Sequence, residues 1–505
     1  MSWKTVTAQI MRRSAESATE RNADDFRVPA EHREGHSTGR LSLADRRNGF
    51  GIAGLSYRIG KVMKFEDAKA YNRFVLEWKL SATALLLLLM ITSFSTKATA
   101  GGFFLSEIGT PDVGLASAGY AARAQDASTL FTNPAGMTRL NDSQLLVGVQ
   151  PIYGHLVFSP NSQTTKSGTD GGNALVPFPG GSIFYVHSLT PDLKIGIGNC
   201  TYFGGALEYN LNWVGRYYLQ GSTLLGSSIL PTVAYRINKW LSVGAGVNVM
   251  VGYLKQKVAI KNLSIATDGQ ERFQNWTAGV GGDIGVLVEP TADTRFGVQY
   301  LTPVSLNFGD VPHFSGLGRA ETALFKSRGI FGASLDLGLT VPQSLLFSAF
   351  HQIDQRVAVM GNAGWQNWSK FGLPTVGIDT AHPKSGAINL RYQDTFNLAI
   401  GTQYRPAKRW LLSAGFDFDN SFVSSASRTV LTPLGDQYRF GTGAQYAFNE
   451  ALIGGFQYEF QWQGSPGLYQ TSPGPVRGTV AGQFNGVNIN FFSMNLIWKL
   501  GSAGH

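Results

Sequence analysis

The sequence predicts an all-β protein: a 14-stranded antiparallel transmembrane β-barrel whose N-terminal segment folds back into the lumen as a plug. Three observations carry that reading. A secretory signal occupies residues 79–101, KLSATALLLLLMITSFSTKATAG. Beyond it, apolar and polar residues alternate for hundreds of positions without one long apolar run. The connections between the alternating runs are short and long by turns.

The signal is built from Lys79 as the positive charge, residues 82–94 as a short apolar region, and Ala98-Thr99-Ala100 as an A-x-A cleavage site. Cleavage after Ala100 leaves a mature chain that starts at Gly101. Residues 1–62 are polar and charged, with runs such as EHREGHSTGR and ADRRNG, and they precede the signal, where an exported protein carries no domain. They are expected to be a disordered extension or a wrongly assigned start, with residues 63–100, from Met63, as the working signal.

With 43% hydrophobic and 15% charged residues, the chain has a mean hydropathy of -0.04, too low for a bundle of membrane helices. A spanning strand needs only every second residue apolar, so a barrel stays near neutral hydropathy. Of the net charge of +9, residues 1–100 hold +6, from 16 Lys+Arg against 10 Asp+Glu. The mature chain is therefore nearly balanced, and no basic stripe with interleaved aromatics argues for nucleic acid. A single cysteine, Cys200, excludes an intrachain disulfide framework and a cysteine zinc cage. No cofactor or metal is expected.

Period two is plainest at 241–253, where Leu241, Val243, Ala245, Val247, Val249, Val251 and Tyr253 oppose Ser242, Gly244, Gly246, Asn248 and Gly252. It recurs in the runs holding Phe396 and Ile400, Tyr438 and Phe440, and Phe456 and Trp462. A soluble sandwich would alternate too, so the connections decide. Short turns fall near 190–192, 237–239, 290–294, 352–355, 405–409 and 448–450. Between them lie Gly/Ser/Asn-rich segments near 159–179, 204–228, 258–272, 307–338, 369–395, 419–436 and 463–486. Short periplasmic turns, long extracellular loops and an even strand number characterise outer-membrane barrels. The barrel is expected over 143–500, with both ends periplasmic and a tail at 501–505.

Residues 101–142, GGFFLSEIGTPDVGLASAGYAARAQDASTLFTNPAGMTRLND, fit no strand plan. A barrel of this width leaves an aqueous hole unless something fills it, and this segment is placed to do so. It resembles the N-terminal hatch of the FadL-type (OmpP1/FadL/TodX) family of outer-membrane transporters for hydrophobic compounds, through its G-F-x-L-x-E opening and its Asn-Pro-Ala turn. LPTVAYRINKWLSVGAGVNV, LTVPQSLLFSAFHQID and DQYRFGTGAQYAFNE extend the resemblance over the mature chain.

The resemblance implies a hatch, a ligand pocket, and a kinked third strand that opens a side passage into the bilayer. Carried over by position, Phe103, with Phe104 and Leu105, would line the pocket. Glu107, Asn133, Pro134, Ala135 and Gly136 would belong to the gate, with the Asn-Pro-Ala turn beside the kink. Gly204 and Gly205 would mark the lateral opening, as a bulge or as the start of a loop. Lys255 and Lys257, at the outer end of their strand, would meet a carboxylate head group, or else face water and lipopolysaccharide.

The last strand alternates correctly through Phe492, Met494, Leu496, Trp498 and Leu500, but Gly501 to His505 trail on, so the terminal aromatic that assembly machinery reads is missing. No G-x-S-x-G elbow, H-E-x-x-H or ligand-spaced cluster supports an enzyme. A plug of some forty residues argues against an open porin. The expectation is a monomeric, non-enzymatic protein of the Gram-negative outer membrane, in contact with lipid and lipopolysaccharide. A hydrophobic molecule, a fatty acid or an aromatic hydrocarbon, would be captured by loop residues such as Phe308, Phe314, Leu317, Leu324 and Phe325. N-terminal sequencing of the protein from outer membranes should read Gly-Gly-Phe-Phe-Leu, and a terminus at Met1 or Met63 would remove the export signal from the argument.

Overall fold

The computed structural model describes residues 103–105, 108–263, 265–379, 384–472 and 476–501. The upstream stretch, the signal, Glu107 and residues 502–505 lie outside them. Among the described residues fourteen strands form the wall: β1 (Gln144–Pro160), β2 (Phe178–Ser188), β3 (Leu193–Glu208), β4 (Gly221–Asn238), β5 (Leu241–Ile260), β6 (Gly269–Val288), β7 (Thr294–Leu301), β8 (Ser344–Gln352), β9 (Val357–Gln366), β10 (Thr395–Tyr404), β11 (Trp410–Asp419), β12 (Gln437–Ala447), β13 (Leu452–Gly464) and β14 (Thr479–Lys499). Each pairs antiparallel with the next, and β14 returns to β1 from Gln144↔Lys499 to Pro160↔Gly482, closing the cylinder. Two short strands, His313–Ser315 and Gly467–Thr471, append to β6 and β14.

The faces of the wall are inverted relative to a soluble protein. On β10, Ile400 is 63% exposed while Gln403 is 2% exposed. Val147, Ile197, Val247, Val280, Phe347 and Met494 point out, whereas Gln150, Asn248, Asp283, Arg295, Arg439 and Glu459 are buried inside. An apolar exterior with a polar interior is the pattern that lipid demands of a barrel. Outward aromatics mark two levels. Trp240, Tyr404, Trp410, Phe448 and Trp498 sit at the short-turn end. Tyr153, Trp276, Phe396 and Trp462 lie farther along their strands, at about the ten-residue spacing of a membrane-spanning strand.

The long connections carry more order than the sequence predicts. Lys384–Ala387, Thr375–Asp379, Ser334–Val341 and Val304–Asp310 form a separate four-stranded sheet inside two of the expected loops. The signal for it was present as the alternating Leu335, Leu337 and Leu339. Phe308 belongs to this sheet and is fully buried, so it is not the exposed capturing loop residue that was expected. β3 and β4 also continue farther, to Glu208 and from Gly221, than the predicted loop at 204–228 allows.

Residues 108–140 contain three short helical turns, Pro111–Leu115, Thr129–Thr132 and Pro134–Arg139, and pack against the inward face of the wall. Backbone meets backbone there: a Cβ on Gly415 would overlap the Leu115 carbonyl oxygen, and one on Gly297 the Ala121 carbonyl oxygen. Inward side chains hold the segment by its main chain. Arg295 Nε donates to Ala122 O at 2.5 Å and Gln299 Nε2 to Phe131 O, while in the opposite sense Asn133 Nδ2 of the segment donates to Val286 O of β6 at 3.0 Å. Ser348 Oγ and Asn362 Oδ1 accept from Ala121 N and Gly119 N at 3.0 and 2.8 Å.

Within the segment, Arg123 joins Asp112 at 2.8 Å and Asp126 at 2.7 Å, all three almost wholly buried. Removing one member of such a group leaves a charge without compensation in low dielectric, at a cost of about 3–5 kcal/mol. Arg123→Ala should therefore unseat residues 108–140 without opening the cylinder. Limited proteolysis should cut within that segment while the heat-modifiable gel mobility of the barrel is kept.

Candidate functional site

The third strand breaks its own period. β3 pairs with β4 in register to Thr201↔Ser227, skips one residue, and resumes at Phe203↔Gly226. Tyr202 is the extra residue of a β-bulge, and its effect is to turn two successive aromatics inward, since Tyr202 and Phe203 are both buried. Gly204 then takes φ +127°, where a Cβ would overlap Leu224 O, so no other residue fits without moving the strand.

The bulge coincides with a lapse in the wall. β2 and β3 pair only from Ser188↔Lys194 to Ser182↔Cys200, although β2 begins at Phe178 and β3 runs on to Glu208. Ile152 pairs with Phe178, which places the lapse level with Tyr153 of the upper aromatic row. Residues 103–105 take up the vacant edge of β3 from inside. Gly204 N donates to Phe103 O at 2.8 Å and Leu105 N to Tyr202 O at 2.8 Å, and Phe104 bridges Phe203. Above the lapse, Glu208 N donates to Ala174 O at 2.9 Å and Ala174 N to Leu156 O at 2.9 Å, so the loop between β1 and β2 ties β3 back to β1.

Aromatic rings collect around this junction. Phe103 packs edge-on against Phe203, Trp368 and Phe371, at centroid distances of 6.5, 6.1 and 5.9 Å. Phe104 stacks on Tyr202 at 5.8 Å, and Trp368 stacks on Phe422 at 4.6 Å. Trp368 and Phe371 come from the connection after β9 and Phe422 from that after β11, so long connections from across the barrel fold in to meet the N-terminal segment.

Beside the rings lies a cavity of about 270 Å³ lined by Phe103, Phe104, Leu105, Gly204 and Gly205, by Leu337 and Leu339 of the separate sheet, and by Leu434. Its polar lining is neutral: Ser222, Thr432, Tyr392 and the glutamines at 256, 437, 461 and 463. Burial pushes the Tyr392 hydroxyl up, only partly offset by its hydrogen bond with Thr432, so it stays a neutral donor. Among the described residues no Lys, Arg, Asp or Glu lines this space.

Phe103, Phe104, Leu105, Gly204 and Gly205 are thus brought together, and other expected residues are not. Lys255 and Lys257 are absent from the lining, because period two puts them on the outward face with Val251 and Tyr253, while Leu254 and Gln256 turn in. Lys257 Nζ instead pairs with Glu208 at 2.5 Å.

The Asn-Pro-Ala turn packs on β5 and β6, while Phe131, just before it, reaches the bulge residue Tyr202 at a centroid distance of 4.8 Å. Asn133 caps the turn Pro134–Arg139, its Oδ1 accepting from Ala135 N at 3.1 Å. Asn133 and Pro134 pack on Gly285 of β6, and Pro134 and Ala135 on Gly244 of β5. Gly136 lies against Thr129 of the preceding turn. Tyr202, Phe203, Trp368, Phe371, Tyr392 and Phe422 escaped the sequence reading, the first pair because a bulge defeats period two and the rest because loop aromatics have no period.

Residues 91–485 match the family described as outer membrane protein transport protein (OMPP1/FadL/TodX). The chain is 26% identical to outer membrane protein P1 of Haemophilus influenzae, over 70% of this chain and 84% of that one. It is 24% identical to the long-chain fatty acid transport protein of Escherichia coli, over 71% and 87%. Among solved structures, a Pseudomonas aeruginosa FadL homologue superposes with a TM-score of 0.66 at 20% identity, covering 80% of this chain and all of that one. The Pseudomonas putida toluene transporter TodX does so with 0.54 at 17%, covering 77% and 99%. With a closed fourteen-stranded wall and a match over most of its length, the chain is an outer-membrane protein that belongs to the OMPP1/FadL/TodX family.

Proposed function

We propose that the protein takes up hydrophobic compounds passively and releases them sideways through its wall. The observation that carries this reading is the coincidence of three features at β3: an apolar cavity, a lapse in β2–β3 pairing, and residues 103–105 seated across that lapse by two backbone hydrogen bonds. The long-loop end faces outward. Leu324 and the ring cluster of Phe314, Phe325 and Phe331 offer a first apolar contact there. The molecule then enters the cavity, where burial stabilises it by about 25 cal/mol per Å². Displacement of residues 103–105 frees the edge of β3, and the ligand leaves between β2 and β3 into lipid. Residues 108–140, tied to the wall on many sides, act as the hatch that closes the axial route.

Relatives carry names for both fatty-acid and toluene transport. The lining favours the neutral end of that range. A long-chain carboxylate needs a cation or several donors at its head group, and this cavity offers only amides and hydroxyls. Aromatic hydrocarbons and other uncharged apolar compounds need neither.

Deleting Tyr202 removes the bulge and lets β3 run straight against β2. Uptake of radiolabelled hydrophobic substrate should fall at least about tenfold, with binding to intact cells retained; undiminished uptake by a correctly folded deletion would sink the lateral route. A strain lacking the protein should lose growth on aromatic hydrocarbons and keep growth on oleate. The reverse pattern would assign a fatty acid, and sugar diffusion through reconstituted protein would assign a porin.

A further inference from the structure

On the outward face of the wall, the register of β5 and β6 sets out three layers in order. Val251 lies opposite Ala278 in the apolar band; Tyr253 lies opposite Trp276, their rings 4.5 Å apart; then Lys255 lies opposite Gln274, and Lys257 opposite Arg272. Each layer is two residues, about 7 Å, farther along the strand. Cations therefore begin one step beyond the aromatic row. That is the depth of the first charged groups of a leaflet.

The arrangement is unfavourable as it stands. Lys257 and Arg272 are directly opposed like charges, and Lys255, two residues before Lys257, lies diagonal to Arg272. Glu208, the one carboxylate reaching this group among the described residues, pairs with Lys257 alone. Among the described residues Arg272 Nη2 meets the neutral Gln274 Oε1 at 2.5 Å. The cluster keeps a surplus of two positive charges on a face that otherwise meets lipid.

We propose that Lys255, Lys257 and Arg272 form a binding site for a phosphate of lipid A, the anionic glycolipid of the outer leaflet, with Trp276 against its sugar or first acyl carbons. An anion there converts the like-charge repulsion into a shared attraction, and Arg272 supplies the planar donor fork that suits phosphate oxygens. The site lies outside the barrel, on the opposite face of β5 from Leu254 and Gln256, which line the cavity. It explains why basic residues expected to hold a substrate head group face away from that cavity. It rests on the outward orientation of the long-loop end, which labelling of Leu324→Cys by an impermeant maleimide on intact cells fixes independently.

Native mass spectrometry on the full-length mature protein in detergent tests it, with bisphosphorylated lipid A, the same lipid enzymatically dephosphorylated, and inorganic phosphate as probes. Wild type should retain the phosphorylated lipid. The double variant Lys255→Gln/Arg272→Gln, verified as folded by heat-modifiable mobility, should bind it roughly thirtyfold more weakly. Glu208→Gln, which releases Lys257, should bind it more tightly. Equal retention of the dephosphorylated lipid, or an unaffected double variant, overturns the site. Displacement of lipid A by millimolar inorganic phosphate would make it a free-anion site and overturn the lipid assignment.

Discussion

In hydrocarbon a backbone amide or carbonyl has no water to turn to, so every one must find its partner in the protein. The closed ladder from β1 round to β14 meets that demand, and the rest of the molecule follows from it. The lipid face is left to apolar side chains of almost any shape, and the polar residues concentrate inside. The same constraint makes an interruption of the ladder conspicuous. Where β2 and β3 part above Ser182 and Cys200, Phe103 O and Leu105 N reach across to Gly204 N and Tyr202 O. Residues 103–105 therefore do more than occupy space, since they complete the hydrogen bonding of the wall.

Two kinds of attachment divide residues 103–105 from residues 108–140. From Ile108 to Leu140 the main chain is held by side chains from many strands, among them Arg295, Gln299, Ser348 and Asn362, and by an internal charge cluster. Residues 103–105 are held, among the described residues, by one strand edge and by apolar packing of Phe103, Phe104 and Leu105. Apolar burial is non-directional and can be exchanged for contacts with an apolar ligand, whereas the buried Arg123 group tolerates no such exchange. The two stretches thus differ in the type of bond that holds them.

Much of this was legible in the sequence, and the reasons for the gaps are physical. Leu241 to Tyr253 alternated because one face meets lipid, and the turns near 190, 238 and 448 stood out because two strands meet there with nothing to bury. Period two also fixes which way Lys255 and Lys257 point, and it outweighs their match to a head-group position. The bulge at Tyr202 was hidden, because one extra residue changes the facing of its neighbours and leaves their composition untouched. The cavity was hidden for another reason. Trp368 and Tyr392 stand at opposite ends of one connection and Phe422 in another, and their convergence depends on three-dimensional closure that local pattern does not encode.

Where residues 108–140 meet the wall at Gly297 and Gly415, neither partner contributes a side chain. Interfaces built of side chains can drift, since a loss of volume on one face is made good by a gain on the other. An interface of main chain on main chain has nothing to trade. The lipid face can change its residues freely within the apolar set, while the inward glycines are locked by a neighbour that no substitution can make smaller. Evolutionary freedom in this barrel is therefore distributed by face, and it is least where the chain is chemically simplest.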